Sequence, residues 1–319
     1  MKIAILGAGA MGSIYGALLA RNGNDIWLID RWAEHMDAVR NSGLRVSGAT
    51  GNWIAHPQAT TTTAEVGPCD LVIVATKTRD LASALEVIDP LLDDDTAVLC
   101  VQNGLNAPRI AEEMVGRDRV LLGIAGGFGA SIPAPGYVDH TGWEIVRVAA
   151  RNSEKFALAQ KVAEVWRDAD FNAEAAPDAD HMIWTKLVCN SAYSAVCCVT
   201  GLLIGEVAED PHARQISAAC AEEAWQVAQA SGVKLDFDDP AEYVRAFGRK
   251  IPGARPSMLL DRLAGKPSEV DDINGSVVEE GKRLGVATPV NATLVNSIHA
   301  METHDLRPSR QVKQPVFQG

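Results

Sequence analysis

The chain opens on a short uninterrupted apolar run at residues 2–6, followed at once by the glycine-rich turn GAGAMG and by YGALLARNG, whose apolar spacing reads as helix. Residues 25–30 (DIWLID) form a second predicted strand. Uniformly apolar segments recur at 70–75 (DLVIVA) and at 96–101 (TAVLCV), the latter ending on Gln102-Asn103-Gly104, and residues 80–88 between them read as helix. Strands that are apolar throughout, rather than alternating, suit a parallel sheet covered on both faces. Residues 119–124 and 144–149 are two further strands. The segment between them, GGFGASIPAPGYVDHTG, is too rich in Gly and Pro for a helix and predicts a strand–loop–strand connection. Helical spacing returns at 153–168.

From residue 178 the texture changes. Apolar residues at 183, 184, 187, 188, 195, 196 and 199 predict one long, mostly buried helix over 180–199. A second long helix covers 211–231 and is closed by Gly232. Asp239-Pro240 places an N-cap residue before a proline at the first helical position, opening a helix to about 247. A helix over 267–284 stops at Gly285, and Thr288-Pro289 repeats the cap-then-proline signal before a last helix to about 303. The expected organisation is an α/β Rossmann-type domain over 1–176, an all-helical domain over 177–305, and an extended, proline-containing tail over 306–319.

Composition narrows the class. A chain of 319 residues that is 47% apolar and 22% charged has ample core for one large or two medium domains, which excludes a disordered protein and a small disulfide scaffold. With 41 acidic and 29 basic residues the formal charge is −12, which argues against a general nucleic-acid binder. The six cysteines, at 69, 100, 189, 197, 198 and 220, show no C-x-x-C spacing and read as buried thiols of a reducing compartment, with no structural zinc. Glycines at 7, 9, 12 and 16 and then Arg21 break the first apolar run, and no 18-residue apolar stretch is free of charge. A soluble, cytoplasmic protein with no membrane partner is therefore expected. The long apolar helices offer more apolar face than one small bundle needs, which predicts a homodimer through the helical half.

Gly7-Ala8-Gly9-Ala10-Met11-Gly12 fits G-x-G-x-x-G in the right setting, after a strand and at the start of a helix. Gly7 allows the tight turn, Gly9 lets the backbone approach a pyrophosphate, and Gly12 allows close helix–strand packing. The helix start offers N–H groups to the anion. FAD shares this fingerprint with the nicotinamide dinucleotides. Asp30, 23 residues after Gly7, can accept hydrogen bonds from the adenosine ribose, which favours NAD; Arg31 can grip a 2′-phosphate, which favours NADP. Lys77 and Arg79, just after the third strand, can add positive charge near the same phosphate. Asn103, at the end of a buried strand, faces the crevice where open α/β sheets bind ligands.

The helical half carries its own polar set. Lys186 is flanked by Ile183, Trp184, Leu187 and Val188, an expensive place for a charge without a role or a partner. Asn190 and Ser194 follow at i+4 and i+8, so the three form a polar ridge on an apolar helix. Desolvation lowers a lysine's pKa and suits it to donate a proton. A second polar group comprises Ser257, Glu269, Asp272 and Asn274, and periodicity alone does not choose Glu269 over its acidic neighbours.

Four ordered motifs give the chain a resemblance to the ketopantoate reductases (2-dehydropantoate 2-reductases): GAGAMG at 7–12, QNG at 102–104, WTKLVCN at 184–190, and RPSMLLD at 255–261 followed by EVDDING at 269–275. The resemblance implies a Rossmann domain and a helical domain of the 6-phosphogluconate-dehydrogenase type, with the active site between them. It implies NADPH-dependent reduction of a 2-oxo acid, ketopantoate, to the D-2-hydroxy acid, a step of pantothenate biosynthesis. The family's lysine falls on Lys186, as general acid toward the C2 carbonyl, and its glutamate on Glu269, which orients the substrate hydroxyl. Its substrate serine falls on Ser257, and its two asparagines on Asn103, close to nicotinamide and lysine, and on Asn190. Where the family has an I-N-P-L-T-A-like segment this chain reads Ala192-Tyr193-Ser194-Ala195-Val196, so Ser194 stands for a second asparagine. That departure makes another branched or aromatic 2-oxo acid the alternative substrate. Asp30, in place of the family's usual small residue, makes NAD the alternative to NADP. A polyol-phosphate dehydrogenase or a non-enzymatic nucleotide-binding protein would not need Lys186, Ser257 and Glu269 together.

Overall fold

A computed structural model of the chain describes residues 1–127, 129–142 and 145–305, so the expected tail and the first residue of the strand at 144–149 lie outside the described residues. The chain forms two compact units, Met1–Ile183 and Trp184–Gly319. The division falls inside a helix, whereas the sequence reading puts it before that helix, at 176/177.

In the first unit the elements are β1 (Lys2–Leu6), α1 (Ala10–Arg21), β2 (Asp25–Ile29), α2 (Ala33–Ser42), β3 (Leu44–Gly48), β4 (Trp53–Ala55), β5 (Gln58–Thr60), β6 (Leu71–Val74) and α3 (Thr78–Leu85). They continue with β7 (Ala97–Cys100), α4 (Asn106–Val115), β8 (Val120–Gly126), β9 (Gly129–Ala134), β10 (Tyr137–Gly142), β11 (Ile145–Ala149), α5 (Phe156–Asp168) and β12 (Ala173–Ala175). Eight strands make one sheet in the order β12-β11-β8-β7-β6-β1-β2-β5. Every pair in it is parallel except β8 with β11. The uniformly apolar strands are the central ones: Ile3 and Ile5 of β1 enter one core with Tyr15, Leu18 and Trp166, while Ala4 and Leu6 enter the other with Leu81 and Ala107. Both faces are thus covered by helices, which is the reason the strands do not alternate. Trp166 packs edge-on against Tyr15 and Phe171 at centroid distances of 4.9 and 4.6 Å and anchors α5 against α1.

A second, four-stranded sheet, in the order β4-β3-β10-β9, is assembled from two distant segments. The predicted strand–loop–strand connection is the β9–β10 hairpin. Its partner β3, parallel to β10, was not expected from the sequence. Neither was α2 or α4.

The second unit is helical among its described residues. α6 (Ala179–Thr200) begins in the first unit and continues into the second, followed by α7 (Ile204–Glu209), α8 (Ala213–Ala230), α9 (Pro240–Lys250), α10 (Ser257–Leu263), α11 (Asn274–Leu284) and α12 (Pro289–Asp305). By length and composition α6 could cross a membrane, and 78% of its most apolar window is buried inside the protein. Asp239 caps α9 as its sequence signals, its carboxylate accepting the Glu242 N–H at 2.9 Å. The Glu223 carboxylate caps α12, accepting the N–H groups of Val290 and Asn291 at 2.8 and 2.9 Å, where the helix dipole favours negative charge. Buried Asn274 donates to Ser191 O and Asn291 Oδ1, tying α11 to α6 and α12.

One predicted helix is corrected. The expected helix over 267–284 begins only at Asn274. Residues before it form a turn in which Glu269 O accepts the N–H groups of Asp272 and Ile273, and the Ser268 N–H goes to Glu302. The i→i−4 bond of Ile273 is isolated, since the Gly275 N–H goes five residues back to Val270 O at 2.8 Å.

Candidate functional site

The C-terminal ends of the parallel strands β1, β2, β6 and β7 share one edge of the large sheet. The chain leaves β1 and β2 on one side and β6 and β7 on the other, so the sheet order reverses direction beside β1, the position where open α/β sheets bind ligands. Gly7 to Gly12 sits at that edge. Gly7 has φ +100°, and a Cβ there would lie 2.6 Å from Thr76 N; a Cβ on Gly12 would lie 2.0 Å from Gly7 O. These two glycines are required by packing alone. Gly9 is different: a Cβ there would meet nothing within 4 Å. Gly9 is the N-cap of α1 with no side chain closing the helix end, and the first intrahelical bond runs from Ser13 N to Gly9 O. The N–H groups of Ala10, Met11 and Gly12 precede that bond and are available to an anion.

Neighbouring loops extend this edge. Gln102, after β7, donates through Nε2 to Val74 O and Thr76 O at 2.8 and 3.0 Å, joining the ends of β6 and β7. Its Oε1, with Thr76 Oγ1 and Thr78 Oγ1, is a buried acceptor or donor without a hydrogen-bond partner among the described residues. Asn103 lies half-buried in the next turn, before Gly104 at φ +84°. Lys77 is the half-buried N-cap of α3. The open backbone at Gly9 and the unpartnered hydroxyl of Thr76, the residue against which Gly7 packs, fit a dinucleotide.

At the end of β2, half-buried Asp30 accepts the Trp32 N–H at 2.9 Å. Arg31 is 80% exposed and its guanidinium meets the Asp80 carboxylate at 3.1 Å; Arg79 reaches the same carboxylate at 3.6 Å. Asp80 therefore sits between the two guanidinium groups that the sequence offers to a 2′-phosphate. Sequence reading missed Asp80 and Thr76, and gave Gln102 only as part of the QNG motif, because their partners lie on strands far apart in the chain.

In the helical unit α6 carries Lys186, Asn190 and Ser194 at one-turn spacing, as expected. Ser194 is almost wholly buried and Asn190 half-buried. Burial pulls the Lys186 ammonium down from the usual 10.5 to about 8, and the Glu269 carboxylate pulls it back upward. The charge of Glu269, 83 residues away in sequence, thus reaches Lys186, which distinguishes it from its acidic neighbours. Asp271 is instead turned to His299 Nε2 at 2.8 Å on the exposed side. Ser257 is the exposed first residue of α10. Asn274, grouped with these residues on sequence, belongs to the core. An amine held near neutrality beside a carboxylate can give a proton to an oxygen that gains negative charge.

The chain matches two family models, "Ketopantoate reductase PanE/ApbA" over residues 3–153 and "Ketopantoate reductase PanE/ApbA C terminal" over residues 178–302. It is 32% identical to the 2-dehydropantoate 2-reductase of Archaeoglobus fulgidus and 30% to that of Lactococcus lactis, covering 95% of this chain and 98% of each relative. Its structure resembles that of a D-mandelate dehydrogenase with NADH and anilino(oxo)acetate (TM-score 0.88, 30% identity, 96% of this chain and 99% of that one). It also resembles a PanE/ApbA family ketopantoate reductase from Ralstonia eutropha JMP134 (TM-score 0.86, 29% identity, 96% and 100%). With both family models matched in order and a relative above 30% identity along nearly the whole length, this chain belongs to the ketopantoate reductase family.

Proposed function

We propose that this chain reduces ketopantoate to D-pantoate with a reduced nicotinamide dinucleotide, residues 1–176 holding the dinucleotide and residues 177–305 the 2-oxo acid. The observation that carries the reading is Lys186: a buried amine brought to about 8 and opposed by the Glu269 carboxylate, within a full-length family match.

When bound, the dinucleotide supplies a hydride to C2 of the 2-oxo acid. Lys186 Nζ stabilises the negative charge that grows on the C2 oxygen and then transfers its proton there, completing the alcohol. Its lowered pKa leaves it mostly protonated at neutral pH and makes the proton easy to give. Glu269, when ionised, has no proton to give; it accepts a hydrogen bond from the substrate hydroxyl and sustains the charge on Lys186. Asn190 and Ser194, one and two turns along α6, and Ser257 bind the remaining polar atoms of the substrate. Asn103 orients the nicotinamide end. The GAGAMG backbone binds the pyrophosphate.

The family resemblance and Arg31 support NADPH. Two observations support NADH ahead of it: Asp30 is a carboxylate just after β2 that would repel a 2′-phosphate brought near it, and Arg31 is paired with Asp80. A second substrate reading, an aromatic 2-oxo acid, is favoured by Ser194 and by the likeness to a D-mandelate dehydrogenase. A homodimer through the helical unit remains our reading of its long apolar helices, and sedimentation of a single 34 kDa species at micromolar protein would overturn it.

Steady-state kcat/KM for ketopantoate and benzoylformate, each with NADPH and NADH, tests the whole. The highest value with ketopantoate supports the first reading. A tenfold advantage for benzoylformate replaces it with the second, and reduction of neither defeats both.

A further inference from the structure

The dinucleotide loop is tied to a fully buried histidine that neither the sequence motifs nor the chemistry above uses. His35, on α2, is 0% exposed. Its Nδ1 accepts the backbone N–H of Gly136 at 2.9 Å, in the turn between β9 and β10. An acceptor nitrogen carries no proton, so the proton of the neutral ring sits on Nε2. Nε2 lies 3.1 Å from Ser13 Oγ, and Ser13 Oγ lies 2.9 Å from Ala8 O. The directions follow: Gly136 N–H donates to His35, His35 to Ser13, and Ser13 to the carbonyl of Ala8, inside the glycine-rich loop. A face of the same ring is used too. The indole of Trp32, two residues after Asp30, stacks on it at 5.0 Å between centroids and 16° between planes.

The turn that feeds this relay is itself fixed. Gly136 has φ +72°, and a Cβ there would come within 2.8 Å of the Ala38 side chain on α2. The second sheet therefore reaches the dinucleotide loop through one imidazole and one hydroxyl.

We propose that His35 is a positioning residue for the dinucleotide: in its neutral form it fixes the Ala8 carbonyl through Ser13 and supports the Trp32 ring beside Asp30, holding the pyrophosphate and adenosine ends of the site in one arrangement. A proton added to Nδ1 would face the Gly136 N–H, donor against donor, and the relay would break. Burial holds the His35 pKa below the usual 6.5, while the Asp30 carboxylate opposes that shift. The groups around the ring are the Ser13 hydroxyl from α1, the Gly136 amide from the turn and the Asp30 carboxylate from the end of β2. Glu34 and Asp37, on α2 itself, are exposed. The relay is therefore intact at neutral pH and is lost as pH falls through the lowered pKa of His35.

This inference rests on the reading of GAGAMG as a dinucleotide site, and direct binding separates the two. NADH is titrated into the full chain from pH 7.5 to 5, following its fluorescence, with wild type, Ser13→Ala and His35→Gln compared at equal melting temperature. Wild-type Kd should rise as pH falls, by roughly 3- to 10-fold once His35 is protonated, the scale of one hydrogen bond. His35→Gln, which can accept and donate at once but does not titrate, should bind as wild type does at pH 7.5 and stay flat on acidification. Ser13→Ala should bind several-fold more weakly at pH 7.5, with kcat and the KM for the 2-oxo acid unchanged. Wild-type binding with the same acid limb in His35→Gln, or wild-type affinity in Ser13→Ala, would overturn the role of His35. Failure of the wild type to bind NADH or NADPH at any pH would overturn the dinucleotide reading instead.

Discussion

The two units carry their chemistry in different materials. The first presents an anion site made of backbone: three glycines, a helix end, and the N–H groups of Ala10 to Gly12. The second presents side chains: an amine on a buried helix and a carboxylate from a turn far along the chain. Backbone sites are set largely by residues close in sequence: a Cβ on Gly12 would strike Gly7 O and Ile5, and only the contact of Gly7 with Thr76 reaches a distant segment. Side-chain sites depend on what folds around them; a lysine at an ordinary 10.5 would be a poor acid at neutral pH, and burial changes that.

The two regions should therefore fail in different ways. Lys186→Ala removes the proton donor alone. Its kcat for 2-oxo acid reduction should fall by roughly 10²–10⁴-fold, while the NADH Kd, measured by fluorescence, stays within twofold of wild type. A variant that kept more than a third of wild-type kcat while folded would make Lys186 structural. Changes at the adenosine end should do the opposite, moving affinity and leaving chemistry alone. Asp80→Asn frees Arg31 and Arg79 from their shared carboxylate, and the Kd ratio of NADPH to NADH should shift toward NADPH. The pair is exposed, so the shift should be modest, about 2- to 5-fold. An unchanged ratio would mean that Asp30 alone sets the preference.

The same contrast explains what the sequence made legible. The glycine loop, the six apolar strands of the large sheet and the Asp239 cap of α9 were readable because each depends on a few neighbouring residues, whereas the edge strands β5 and β12 were not, and the carboxylate that caps α12 comes from Glu223, far away in the chain. Lys186, Asn190 and Ser194 were readable as a ridge because helical periodicity places them together. Glu269 could not be separated from Asp271 and Asp272 by spacing, because a turn and not a helix presents it, and the Lys186 ammonium that singles it out is 83 positions away. The second sheet was half-missed for a similar reason: β3 finds its partner β10 some ninety residues later, and neither strand is apolar enough to be recognised alone. His35 and Ser13 sit in unremarkable helical positions, and only the approach of Gly136 gives them a common task.

The most direct test of proton donation by Lys186 is the pH dependence of kcat at saturating 2-oxo acid and NADH, in wild type and in Glu269→Gln. The ammonium is the active form, so wild-type kcat should be flat at neutral pH and fall as pH rises through about 8. Glu269 raises the Lys186 pKa, and removing its charge should move that falling limb to lower pH. A limb that stays in place, or moves upward, would contradict the pairing of Lys186 with Glu269 and with it the proposed acid.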